Sequence, residues 1–363
     1  MRLNFVLHDF SKAQPGGGLK VEYEFANRMT ARGHDVVVYH SLNFTRGVIE
    51  HPRSFAGAIR VNIAGPRAVE WFAVSAAVRC RYLPQIVPAL LRPADATIVD
   101  SFAVTERLRR TTRTGPIVHV VYEYPVWRTA DEPLRARLVR SLQRPDVTRI
   151  ATSAAIENML AQCGSSAVAK ITCGIELPEL STIPPTVTRS PVVGFALRPE
   201  PHKSVVDMLH ALPGIREACP QAEFEAFGHY PAVEHPREVR HHGYLDDLAL
   251  QAFYQRVSVF ASPSQAEGWG LTVAEAMANG AAVVVVENGG SADFAVDGDT
   301  ALVVPAAAPE ALSAAIAALL NDDALRARIV ARGIARSREM SWDHSVTALE
   351  QLLIKLTRVS HAS

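Results

Sequence analysis

The sequence has little cysteine, few aromatic residues and no excess of either charge. Its four cysteines (Cys80, Cys163, Cys173 and Cys219) are scattered over 363 residues with no CxxC pair and no His and Cys cluster at metal-ligand spacing. That excludes a disulfide-stapled scaffold and predicts isolated buried thiols in a reducing compartment. The 37 basic side chains are matched by 37 acidic ones, which excludes a generically nucleic-acid-binding chain. No long low-complexity tract argues for disorder. An uninterrupted run of about 18 apolar residues, the length that reads as a membrane span, is missing throughout. The N-terminus goes into a strand at Arg2–His8 without the apolar segment of a signal peptide, so the expectation is a cytoplasmic protein. Aromatics make up 7% against 48% apolar residues in all, the profile of an α/β protein with buried parallel strands.

What is present is unevenly distributed. Residues 1–178 hold 23 basic and 15 acidic groups, net +8, whereas residues 179–363 hold 14 and 22, net −8. A basic half is a plausible face for phosphates or anionic lipid. The length suits two domains rather than one core. In the first half, short Val/Ile/Leu runs at 3–7, 35–39, 59–63, 96–99, 117–121 and 148–151 alternate with helical patterns at about 19–32, 67–91, 101–110, 132–142 and 154–162. The segment from Leu177 to Pro191, with four prolines among Ser and Thr, reads as an interdomain linker. Alternation then restarts with strands at 192–196, 224–227, 239–241, 257–261, 281–286 and 301–304. The expected architecture is α/β, two Rossmann-like doubly wound domains facing across a cleft. Domain one is 1–178, the linker 179–191 and domain two 192–340, with a last helix over 341–357 packing back on domain one.

The densest chemical signal is the string from Pro263 to Gly280, PSQAEGWGLTVAEAMANG, after a strand and opening a helix. Gly268 and Gly270 let the backbone turn tightly and approach a ligand. The amides of Gly270, Leu271 and Thr272 would form a first helical turn, where unpaired N–H groups and the helix dipole favour a phosphate. Glu275 lies one turn further on, within reach of a ribose, and Glu267 stands before the turn. A Gly-rich helix start with solvated carboxylates would account for any one of these features but not for the whole string. At the restart strand, Arg198 and Lys203 place two cations at one strand end, a planar fork and a point charge suited to a diphosphate.

The string resembles the donor-site signature of the retaining group 1 (family 4) glycosyltransferases of GT-B fold, E-G-[FW]-G-L…E-A-M-A-x-G, with its two glutamates eight positions apart here, and the resemblance extends over nearly the whole chain. It implies that Glu275 binds ribose hydroxyls, that Glu267 faces the donor sugar, and that Arg198 and Lys203 stabilise the leaving nucleoside diphosphate. Ser204 stands where the family has glycine after its lysine. The turns at Gly228 and at Gly243-Tyr244-Leu245 look like those that frame the nucleotide base. By themselves they are Gly-containing βα turns. Gly17 and Gly18, after the first strand, resemble the family's loop toward the donor phosphate; the triplet does not match the GxGxxG fingerprint. Many members carry a histidine at the end of the strand corresponding to 117–121. Here that end reads His119-Val120-Val121-Tyr122-Glu123, with His119 expected to be buried and Glu123 the candidate for touching the acceptor or sugar hydroxyls.

Other groupings read as structural. The stretch from Arg67 to Arg92 reads as a core helix with basic ends, or else as an amphipathic surface that docks on a membrane. The arginines from 107 to 149 read as a solvated face. The histidines at 229, 235, 241 and 242 lack metal-ligand spacing. Taken together, the sequence reads as a metal-independent hexosyltransferase-type enzyme with no cofactor. It moves a sugar from a nucleotide-sugar donor to a hydroxyl acceptor (glycan, glycolipid or small molecule) with retention, and no side chain is an obvious base. Peripheral contact with the inner membrane face through the basic first half is a further expectation, and no nucleic-acid partner is expected. The alternatives are a GT-B nucleotide-sugar epimerase and a non-catalytic sugar-nucleotide-binding protein.

Overall fold

The computed structural model describes residues 1–8, 17–41, 71–228 and 237–362. The predicted strand at 59–63, residues 67–70 of the predicted helix, and His229 and His235 lie outside them. Two compact units form: Met1–Thr152 with Ile156–Thr172 and Asp343–Ser363, and Cys173–Trp342 with Ser153–Ala155.

In the first unit the order is β1 (Arg2–Leu7), α1 (Gly17–Ala31), β2 (Asp35–Ser41), β3 (Arg79–Leu83), β4 (Ala96–Val99), α2 (Phe102–Arg107), β5 (Ile117–Val121), α3 (Tyr124–Thr129), α4 (Glu132–Leu142), β6 (Val147–Ala151), α5 (Ala154–Gln162) and β7 (Ala169–Lys170). The strands pair in parallel in the order β3-β2-β1-β4-β5-β6-β7. β1 aligns Leu3 with both Val36 and Ala96. β1, β4 and β5 are continuously apolar or nearly so and buried on both faces, as strands covered by helices on both sides must be. Hydrophobic clusters gather around Val6, Val99 and Ile117, and around Val121, Leu138 and Ile156.

The segment from 71 to 91 corrects the helical reading. It holds β3, parallel to β2, and a short 3-10 turn at Pro88–Leu90. Pro84 and Pro88 exclude a continuous helix. Arg79 and Arg81 face solvent while Cys80 and Tyr82 are buried, an alternation of period two rather than 3.6. The basic residues thus line an edge strand, where charge discourages pairing with another chain. No described helix is long and apolar enough to cross a membrane.

The second unit carries β8 (Val192–Leu197), α6 (Val205–Ala218), β9 (Glu223–Gly228), β10 (Val239–His241), α7 (Asp247–Arg256), β11 (Val259–Ser262), α8 (Leu271–Ala278), β12 (Ala282–Val286), β13 (Leu302–Val304), α9 (Pro309–Asn321) and α10 (Asp323–Ser337). Its parallel sheet runs β10-β9-β8-β11-β12-β13 around a core that includes Phe195, Met208, Val259, Val284 and Ile316. In each sheet the strand order reverses once, between β1 and β4 and between β8 and β11. Ligands of doubly wound sheets bind outside the carboxyl ends of the strands at such a point.

The proline-rich segment holds two short 3-10 turns and is fastened to the second unit by Arg189. The Arg189 guanidinium donates to the carbonyls of Val257 (2.8 Å), Asn279 (2.9 Å), Tyr254 (3.2 Å) and Pro184 (3.3 Å). Burial pushes its pKa down to about 10. Methionine would keep the stem and lose the donors, leaving carbonyls unpaired. Arg189→Met is expected to destabilise by about 2 kcal/mol, roughly 5 °C in the melting temperature of a unit this size. An unchanged calorimetric Tm would show that the clamp contributes nothing.

The last helix, α11 (Trp342–Ala362), runs beyond the expected end at 357. Within the first unit, its Glu350 accepts from Arg32 (2.8 Å) and pairs with His34 (2.7 Å).

Candidate active site

Most of the expected site residues lie in the second unit, beyond the carboxyl ends of β8, β9 and β11. Arg198 follows the last residue of β8 and pairs with Glu200 at 2.9 Å. A 3-10 turn then carries Lys203, and Ser204 begins α6 in the left-handed region, φ 45°. That backbone explains why glycine suits this position and why serine there carries some strain. The loop after β11 is stitched to this turn. The Gln265 amide donates to the His202 carbonyl (2.8 Å), and the Lys203 ammonium donates to Glu267 Oε1 at 2.7 Å. Both side chains of that ion pair are mostly buried.

The backbone of Glu267 is pinned from a third side. Its N–H donates to the Asn288 carbonyl at 3.0 Å. A Cβ on Gly290 would stand 2.5 Å from the Glu267 carbonyl oxygen and 2.6 Å from the Trp269 nitrogen. Only a glycine lets the two segments lie this close. Gly290 is not among the residues that the sequence motif assigns to the site, and the Gly289-Gly290 pair after β12 is the sequence signal for it.

Gly268 and Trp269 lead to Gly270, whose φ of 103° turns the chain into α8. No side chain caps this helix start, so the first-turn amides at Leu271 and Thr272 keep the polarity that attracts an anion. One turn on, Glu275 accepts a 3.2 Å hydrogen bond from the Tyr254 hydroxyl. Burial, then the Glu275 charge, push the Tyr254 pKa well up, so the phenol remains a donor. Gly228 closes β9 with φ 104°, where a Cβ would stand 2.4 Å from the Leu197 carbonyl oxygen. Tyr244 is exposed and Leu245 half-buried beyond β10. The arrangement offers a cation and helix amides for an anion, with one carboxylate before the helix start and a second one turn inside it for hydroxyls.

Residues 179–336 match the family model for glycosyl transferases group 1. The match lies within the second unit and makes that part of the chain similar to the group 1 glycosyltransferases. It is 27% identical to a phosphatidyl-myo-inositol mannosyltransferase of Mycobacterium leprae, over 94% of this chain and 93% of that one. It is 38% identical to O-antigen chain mannosyltransferase B of Escherichia coli over 30% of this chain and 28% of that one. Sucrose-phosphate synthase of Thermosynechococcus elongatus superposes with a TM-score of 0.75 at 17% identity, covering 99% of this chain and all of that one. Anabaena HepE in complex with UDP and glucose gives 0.72 at 17%, covering 98% and 99%. These structural likenesses show the fold, GT-B, with two parallel α/β units.

The first unit differs from expectation at Glu123. Far from reaching outward to an acceptor or sugar, Glu123 is 6% exposed and engaged through both oxygens. Oε1 accepts from the Phe102 amide (2.6 Å) and pairs with His119 Nε2 (3.0 Å); Oε2 accepts from the Tyr122 amide (3.0 Å). Burial alone would raise its pKa, but His119 and the two amides outweigh it and hold the carboxyl below its ordinary range. Glu123 anchors the start of α2 to the end of β5. His119 is buried, as the sequence implied. Gly17 and Gly18 open α1 at the surface, and open space surrounds a Cβ built at Gly18, so crowding does not demand glycine there. Among the described residues no three His, Cys, Asp or Glu side chains converge as a metal site.

Three residues that the sequence reading passed over, His8, Asp100 and Glu22, meet Tyr122 at the first sheet's switch point. His8, just after β1, places Nδ1 2.6 Å from Asp100, just after β4. Glu22 of α1 is fully buried and accepts from the Tyr122 hydroxyl at 2.9 Å. Its other oxygen has no hydrogen-bond partner among the described residues. Burial, then the Asp100 charge, push Glu22 from 4.5 up to about 8. Between those values the folded protein holds a proton that the unfolded chain releases, so stability falls as pH rises through the window. The contribution is complete below about 4.5 and gone above about 8. Glu22→Gln, which keeps the acceptor for Tyr122, should remove a slope of about 1.4 kcal/mol per pH unit. Denaturant titrations of both proteins between pH 5 and 8 measure this; parallel stability curves would contradict it.

Proposed function

We propose that the chain transfers a hexose from a nucleoside-diphosphate sugar to a hydroxyl acceptor with retention of anomeric configuration. The second unit holds the donor and the first takes part in holding the acceptor. The observation that carries the reading is the Lys203–Glu267 ion pair beside the uncapped start of α8, with Glu275 one turn beyond. In this reading the diphosphate lies against the α8 amides, Lys203 and Arg198. Preorganised positive charge there stabilises the departing phosphate. Glu275 takes the ribose hydroxyls and Glu267 the sugar, while Gly228, Tyr244 and Leu245 line the base. Retention rests on the resemblance of the donor string to the retaining members of the family.

The relatives support a hexose donor and a polyol or lipid-headgroup acceptor, since two are named as mannosyltransferases and one structure holds UDP and glucose. Peripheral membrane contact belongs to the same proposal and draws on the basic first half. A thermal-shift series with UDP, GDP, ADP and dTDP identifies the base, because a ligand of the native state raises Tm. Product analysis then separates transfer from epimerisation or binding alone. With two cations assigned to the diphosphate, turnover is expected to survive excess EDTA. Loss of activity that returns with Mn²⁺ would refute the cation clamp.

A further inference from the structure

Tyr254 of α7 reaches the donor string through its hydroxyl. Its side chain is buried, 1% exposed, and the ring stands edge-on to Phe260 of β11 and Phe227 of β9, with centroids 5.3 Å and 5.9 Å away. The hydroxyl donates to Glu275 Oε2 at 3.2 Å, and Glu275 itself is half-buried. A carboxylate only accepts, which fixes the direction of this bond. Phenylalanine would fill the same aromatic pocket without a buried polar atom to satisfy, so packing alone does not call for tyrosine here.

The backbones that carry the pair are tied together. The Arg189 guanidinium donates to the carbonyls of both Tyr254 and Asn279. The Gln255 amide donates to Asn279 Oδ1 at 3.3 Å, and Asn279 Nδ2 donates to the Glu275 carbonyl at 2.9 Å. Tyr254 and Glu275 therefore sit on main chains held in one register. The freedom that remains is rotation within the Glu275 side chain, and the phenol hydroxyl acts on that. A side chain ordered at the moment of binding costs affinity, whereas one ordered beforehand does not.

We propose that Tyr254 is a positioning residue that holds the Glu275 carboxylate in place for the ribose hydroxyls of the donor, and so sets the preference of the site for ribonucleotides. This rests on the reading of Glu275 as the ribose contact. Tyr254 acts through Glu275, and the hold on phosphates, base and transferred sugar does not depend on it. Its effect falls on binding, equally in ground and transition states.

The test is calorimetry of UDP, GDP and ADP, and of their 2′,3′-dideoxy counterparts, with wild type, Tyr254→Phe, Glu275→Ala and the double variant of the whole 363-residue chain. Wild type should bind a ribonucleotide more tightly than its dideoxy form. Tyr254→Phe should weaken the ribonucleotide by about three- to tenfold, the cost of one side chain left unordered. It should leave the dideoxy form unchanged, which also shows the variant folded and which a merely structural hydroxyl would not produce. Adding Tyr254→Phe to Glu275→Ala should cost nothing further, as for two groups that act as one. With the matching nucleotide-sugar as donor, KM should rise by the same factor at steady kcat. Equal weakening of both forms, unaltered ribonucleotide affinity, or additive losses in the double variant overturn the positioning role and leave transfer intact. Equal wild-type affinity for ribo and dideoxy forms overturns the ribose reading of Glu275 and the role of Tyr254 with it. No binding of any of these nucleotides by wild type overturns the donor-site reading and the positioning role together.

Discussion

Lys203→Met should lower kcat/KM for the donor by roughly a thousandfold, about 4 kcal/mol of transition-state stabilisation. The estimate follows from the site's geometry. The ammonium lies 2.7 Å from Glu267 Oε1 and its side chain is only 23% exposed, so water replaces it poorly. Two losses coincide: the diphosphate loses a cation as its charge develops, and Glu267 becomes a half-buried carboxylate without its partner. The loss should appear in kcat as well as KM. A loss below tenfold in steady-state kinetics, with calorimetric donor affinity unchanged, would remove Lys203 from the reacting centre.

Glu267→Gln should lower kcat about a hundredfold and leave the donor KM nearly unchanged. The carboxylate is held between Lys203 and a backbone pinned by Asn288 and Gly290. Preorganised charge of this kind acts as positive charge grows at the anomeric carbon and so belongs to the transition state. Glu275→Gln is the contrast. Glu275 sits inside α8 and is also engaged by Tyr254. A ribose contact is equal in ground and transition states, so donor KM should rise about tenfold at steady kcat. If Glu267→Gln keeps its kcat and only loses affinity, the two roles have been assigned the wrong way round.

The parallel strands and the donor string were legible because their signals are local. A continuous run such as Ile117–Val121 fixes a strand covered on both sides, and that range is found unchanged in the structure. The Glu-Gly-Trp-Gly-Leu segment fixes a tight turn into a helix, and Gly270 has the positive φ it needs. Pairings between distant segments left no such trace. His8 and Asp100 are 92 positions apart, and each reads singly as an ordinary residue at a strand end. Glu123 misled for the same reason. Its position after β5 was visible, but not the Phe102 amide and His119 imidazole that turn it inward. At 67–91 the mixed apolar and basic residues suited a helix only if Pro84 and Pro88 were ignored, and local chain geometry then overrode composition.

The assignment of α11 to the first unit makes the order of synthesis matter. Residues Asp343–Ser363 leave the ribosome after the whole second unit, yet they group with the unit that contains Arg2–Leu7. Until then Arg32 and His34 lack Glu350, and the apolar face of α11, with Val346, Leu349 and Leu353 fully buried in the finished protein, is missing from its place. The second unit, complete by Trp342, has all its sheet strands before the first unit has its final helix. A chain stalled or cut before residue 343 would therefore carry a finished second unit and an unfinished first unit exposing apolar surface, a form open to chaperones and proteases. Arrest or a frameshift just before residue 343 would thus damage the first unit while sparing the second.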